Sequence, residues 1–186
     1  MRPHWIERYR QHFQNYFGKP FDSQPFRPEE GPAIEIVTYD QRYKKFRVFA
    51  SLGLAQYALD VKELAEVIVV ADTAWRDVPV LFVNTLFFAV QQRISLDSRF
   101  AIGVASLNPA FAEHFDKSAL FFTVADGFGE GFEQVNCGDA TGLVYQGIFI
   151  SPAEQDFLAR HGGPAFEEKL RAQDADLCSL HRPSCV

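Results

Sequence analysis

Only three cysteines occur in the chain, at positions 137, 178 and 185. An odd and widely spaced set cannot build a dense disulfide framework, so the core has to hold the fold. Long apolar runs are missing too. The longest, Val78 to Val90, is interrupted by Pro79, Asn84 and Thr85 and is too short to span a bilayer. The opening residues, MRPHWIERYRQHF, are charged and aromatic and contain no apolar stretch of the secretory type. The expected location is therefore the cytoplasm. Clusters of Lys and Arg are also scarce. With 18 Lys and Arg against 24 Asp and Glu, the net charge is −6. That balance argues against nucleic acid or an anionic membrane as the main partner.

Phenylalanine is abundant, with 19 residues in a chain of 186 that is 47% hydrophobic and 23% charged. Such a composition can build a core without metal or disulfide staples. Because Phe has no polar atom to satisfy, most of these rings belong inside, and a surplus could form an apolar docking patch. The charge is uneven: residues 51–150 carry twelve acidic against five basic side chains, while residues 1–50 carry nine basic against six acidic. An acidic middle suits either a basic partner or a solvated surface.

Trp5, Ile6, Tyr9, Phe13 and Tyr16 recur at helical spacing, with Pro3 near the start and Gly18 at the end. Four prolines between Lys19 and Pro32 exclude a helix there. Ala33–Tyr39 and Phe46–Leu52 read as an antiparallel hairpin, turned at Asp40, Gln41 and Arg42. Glu66–Ala71 is a β-branched strand buried on both faces. Asp77–Leu96 reads as the longest helix, and it is apolar enough to be covered on more than one side. Strands follow at Ala119–Val124 and Gly142–Ile150, separated by a Gly-rich acidic loop, 126–139. Ser151-Pro152-Ala153-Glu154 is a capping box that opens a helix to about His161, and a second short helix spans Ala165–Ala172. The expected fold is α+β: one domain over residues 1–186, with a mixed, largely antiparallel sheet flanked by helices.

Catalytic signatures fail on residue identity. Gly127, Gly129 and Gly131 suggest a phosphate loop, but Phe132 and Gln134 stand where a third glycine belongs, and Glu130 and Glu133 repel phosphate. As a calcium loop starting at Asp126, the stretch puts Phe128 and Cys137 where oxygen ligands are needed. A surface turn is the remaining reading. Cys178, His181 and Cys185 could reach one zinc ion, yet only distant Cys137 offers a fourth thiolate, so neither metal nor cofactor is assigned. No G-x-S-x-G elbow occurs, and Glu113-His114 lacks the second histidine of HExxH. His4 and His12 read as exposed helix residues. A hydrolase whose site is assembled from scattered residues stays open as the alternative function. Glu63, Glu66, Asp72 and Asp77 bracket the Val67–Val70 strand. Paired carboxylates can serve as acid and base, but four acids around a buried strand read as its solvated ends. Trp75 reads as a core cap or, functionally, as an interface anchor. Trp75, Asp72 and Asp77 are the candidate binding residues.

Several segments, taken in order, resemble the suppressor-of-fused-like (SUFU) domain family in its bacterial single-domain form. They are Tyr16-Phe17-Gly18-Lys19-Pro20, the strand Ala33–Tyr39, Ser51-Leu52-Gly53-Leu54-Ala55, and Glu66 with Val67–Val70 and Trp75. The resemblance resumes at Ile148-Phe149-Ile150-Ser151-Pro152-Ala153-Glu154, at the Gly162/Phe166 hairpin, and at Asp176 with Arg182-Pro183-Ser184. Ala55 departs from the pattern, standing where Ser is usual, and residues 96–139 have no match. The resemblance implies a non-enzymatic protein-binding domain without a cofactor. Animal members hold a transcription factor by clamping a peptide, and bacterial relatives are regarded as immunity proteins that neutralise toxins. An exposed sheet edge is the simplest way to bind a peptide.

Overall fold

A computed structural model describes residues 4–41, 46–72 and 75–186, without the side chains of Gln41, Ser98 and Asp126. Pro3 and Arg42, read above as a helix start and a turn residue, lie outside the described residues. Helix α1 (His4–Phe17) leads into an edge strand β1 (Asp22–Phe26), then β2 (Ile34–Gln41), β3 (Phe46–Leu52), the short α2 (Ala58–Val61) and β4 (Ala65–Asp72). Next come α3 (Val78–Gln91), β5 (Ala101–Gly103), α4 (Pro109–Phe115) and β6 (Ala119–Val124). The chain continues through β7 (Gln134–Asn136), β8 (Thr141–Ile150), α5 (Pro152–His161) and α6 (Gly163–Ala172). None of these helices is long and apolar enough to cross a membrane.

The strands form one open sheet in the order β1-β2-β3-β4-β8-β6-β5, with β7 paired to the start of β8. The β4–β8 pair is parallel, with Val67 opposite Tyr145, and all other pairs are antiparallel. The fold class is therefore the expected one.

Alternation along the strands divides the core. Val67, Val69, Leu120, Phe122, Tyr145 and Phe149 face one side, where Leu81, Phe82 and Leu86 of α3 and Phe111 and Phe115 of α4 cover them. Ile68, Val70 and Val144 face the other side, under Ile6, Tyr9 and Phe13 of α1 and under Phe132. On that same side, Phe121, Ile148 and Ile150 pack beneath Leu158 of α5 and Phe166 and Leu170 of α6. The second face thus carries two separate helical layers, with Gln146 of β8 between them. Fully buried Phe side chains such as Phe13, Phe82, Phe122 and Phe166 each gain about 2–3 kcal/mol from leaving water.

Five elements were not expected from the sequence: the short α2, β7 within the Gly-rich stretch, β1, β5 and α4. Strand β1 forms inside the proline-rich stretch because Pro25 sits on a sheet edge, where its missing N–H is not needed. Strand β5 and helix α4 lie in the unmatched middle. Helix α3 is shorter than expected and ends where Arg93 adopts a left-handed φ of 52°.

Candidate functional site

The carboxylates around β4 do not form one set. Glu66 was read as a solvated strand end, yet it has no exposed surface. Its oxygens accept from the Ser51 hydroxyl at 2.5 Å and from the backbone N–H groups of Gly53, Leu54 and Ala55 at 2.7, 3.2 and 3.3 Å. The Ser51 oxygen in turn accepts from Val67 N–H at 2.9 Å. Glu66 therefore caps the turn that follows β3. Gly53 is required there, because its φ is 119° and an added Cβ would meet the Ala33 carbonyl at 2.7 Å. Burial pushes the Glu66 carboxyl up to about 7, against the pull of its four donors. Glu63 hydrogen-bonds the Tyr145 side chain, and burial pushes its carboxyl up as well.

Asp72 ties down the C-terminal tail. Its carboxylate accepts from Leu180 N–H at 3.1 Å, and its own N–H donates to the Cys178 carbonyl at 2.9 Å. Trp75 is half-buried and packs on Phe111, His114 and Phe115 of α4, with ring centroids 5.9, 6.0 and 5.7 Å away. Its indole N–H is buried without a hydrogen-bond acceptor among the described residues. Asp77 is exposed at the start of α3. The tail residue His181 packs on His114 and Phe115, so Asp72 and Trp75 border the same tail segment.

Cys178, His181 and Cys185 face different partners. Cys185 is buried, its N–H donates to Glu154 at 3.1 Å, and burial pushes its thiol up to about 11. Glu154 also closes the capping box with Ser151 and takes a two-point ion pair from Arg182 at 2.5 and 3.0 Å. Burial alone would raise the Glu154 carboxyl, but Arg182 and the Ser151 N–H hold it below the usual carboxylate range.

The glycines of the Gly-rich segment are exposed, as in the surface turn expected, and so is His4, but the segment is anchored to α1 and His12 is half-buried. Phe132 is fully buried against α1. His4 Nε2 lies 2.9 Å from the Cys137 carbonyl, His12 Nε2 lies 2.9 Å from the Phe132 carbonyl, and the Tyr16 hydroxyl donates to the Glu130 carbonyl at 3.1 Å. His12 is half-buried, and that burial lowers its pKa.

The surface best formed for docking is the outer side of α3. Val80, Asn84 and Phe88 recur at a spacing of four and stay exposed, Val80 by 43% and Phe88 by 42%. The stripe expected to be covered is therefore left open, while Leu81, Phe82, Leu86 and Ala89 face the core. Beside it lies an open groove of about 710 Å³, lined by Phe87, Phe88 and Leu107, by Phe26 at the end of β1 and by Glu29 and Glu30 of the loop that follows. Arg27 also lines this groove.

No protein-family model matches the chain, and no curated protein matches its sequence. Among solved structures, a putative SUFU (suppressor of fused protein) homologue from Neisseria gonorrhoeae FA 1090 superposes with a TM-score of 0.71 at 15% identity. That match covers 98% of this chain and 97% of the homologue. A chain of the Sufu–Fu complex superposes with a TM-score of 0.62 at 13% identity, covering 97% of this chain and 90% of that one. With the mixed sheet, the Glu66-capped turn and the Ser151 capping box in the order that the sequence pattern implied, the chain has the suppressor-of-fused-like fold.

Proposed function

We propose that this chain is a protein-binding domain that docks a partner on the outer face of α3. The carrying observation is the uncovered Val80–Asn84–Phe88 stripe beside a groove bordered by Glu29 and Glu30. An amphipathic segment with an apolar side and a basic rim is the complementary partner, because it buries the stripe and meets the two carboxylates. A neighbour of the same fold was crystallised in the Sufu–Fu complex, which supports a protein partner here too. Asp77 adds a carboxylate at the exposed start of the same helix, and Trp75 and Asp72 brace α4 and the tail. The finer reading, from the family resemblance, is an immunity protein that neutralises a toxin in the cytoplasm.

A photo-crosslinking residue at position 88 tests this, with position 59 as the control because Leu59 is 96% exposed. One partner crosslinked at 88 and not at 59, and lost in Phe88→Asp, is the expected result. Equal crosslinking at both positions sinks the reading. Protection of cells from a toxin, abolished by the same substitution, tests the immunity role.

A further inference from the structure

Gln146 lies in the middle of β8, on the face that carries α1 and α6, and is only 7% exposed. Its side-chain amide makes no hydrogen bond among the described residues. Its nitrogen and oxygen are not fully buried, so they are open to the cavities that the side chain faces. The amide lines two cavities at once. One, of about 360 Å³, is bounded by Tyr16 and Phe17 at the end of α1, by Phe46, by Phe128 and by Leu177. The other, of about 130 Å³, continues past Leu177 to Thr123, Arg99, Glu167 and Arg171. Arg99 and Arg171 both lie near the Glu167 carboxylate, at 3.3 and 3.7 Å. Two guanidinium groups against one carboxylate leave a positive excess at that end.

We infer that this cleft binds the C-terminal end of a peptide. Three features in series carry the assignment. The aromatic-walled cavity takes an apolar side chain. The Gln146 amide offers one acceptor and donors in one plane, the complement of a peptide group. The unbalanced guanidinium charge beyond it suits a terminal carboxylate. An N-acylated amino acid carries the same chemistry, so the test has to separate the two sources. The site is distinct from the α3 face and does not depend on it.

Calorimetric titration of the full chain with N-acetyl-glycyl-phenylalanine, as the free acid and as its amide, is the experiment. Saturable binding of the acid is expected, weaker by at least about tenfold for the amide, as for loss of a charge-assisted bond. Gln146→Leu and the surface substitution Arg171→Ala each weaken acid binding, while the melting temperature shows that both variants remain folded. Equal binding of acid and amide, no saturation, or full affinity in both variants overturns the proposal. A longer peptide ending in the same two residues binds more tightly than the acetylated dipeptide. Equal affinity overturns the peptide source in favour of an N-acyl amino acid. Phe88→Asp leaves this binding intact, and its loss in that variant would move the ligand to α3 and overturn the site.

Discussion

Glu66 has no exposed surface, yet four donors converge on its carboxyl group. Burial is the larger influence and pushes it to about 7. An unfolded glutamate ionises near its ordinary value of 4.5. Between those two pH values the folded chain holds a proton that the unfolded chain has released. The stability gained from Glu66 is therefore fully present below the unfolded value, is lost as pH rises through the window, and is flat above it. Glu66→Gln cannot titrate, so urea unfolding at a series of pH values isolates the effect from all other groups. Relative to that variant, wild-type stability should fall by ~3 kcal/mol across the window. Parallel profiles would show that the carboxyl ionises alike in both states. Glu154 is equally inaccessible to solvent but shifted the opposite way, because it has Arg182, whereas Glu66 meets no cation among the described residues.

Strand β8 is the element on which the chain's distant parts meet. It pairs with β4, β6 and β7. At its start the Tyr9 hydroxyl of α1 donates to the carbonyls of Leu64 at 2.9 Å and Leu143 at 3.1 Å. Gly142 makes room for that phenol: a Cβ there would lie 2.2 Å from the hydroxyl and 3.0 Å from the Cys137 sulfur. Gly142→Ala should cost about 1–3 kcal/mol by overpacking, seen as a lower melting temperature. An unchanged melting temperature would mean that α1 can shift without loss. Helix α5 was legible because its capping box is local, spanning Ser151 to Glu154. Helix α4 carried a comparable signal, Asn108 accepting from Phe111 N–H with Pro109 at the first helical position. Strand β1 was harder to read, because a proline is acceptable in a strand only at an edge, and which strand is an edge depends on the whole sheet.

At the scale of the molecule, both outer strands of the sheet are short and the parallel β4–β8 pair lies inside, covered on both faces. Amide hydrogen exchange should follow that order, with Val67–Val70 and Val144–Ile148 slowest and β1 and β5 opening first. Early exchange in β4 would contradict a core built around that pair. The sequence by itself determined the α+β class, most helix and strand positions and the resemblance in fold, because periodicity, caps and turn residues are local properties. It also supplied Trp75, Asp72 and Asp77 as residues of interest, without their surroundings. Tertiary structure alone decided that Glu66 is buried, that the Val80–Phe88 stripe of α3 stays open, and that Gln146 lies unpaired between two helical layers. Each of these depends on what packs against the residue from far away in the chain, and spacing along one segment carries no record of it.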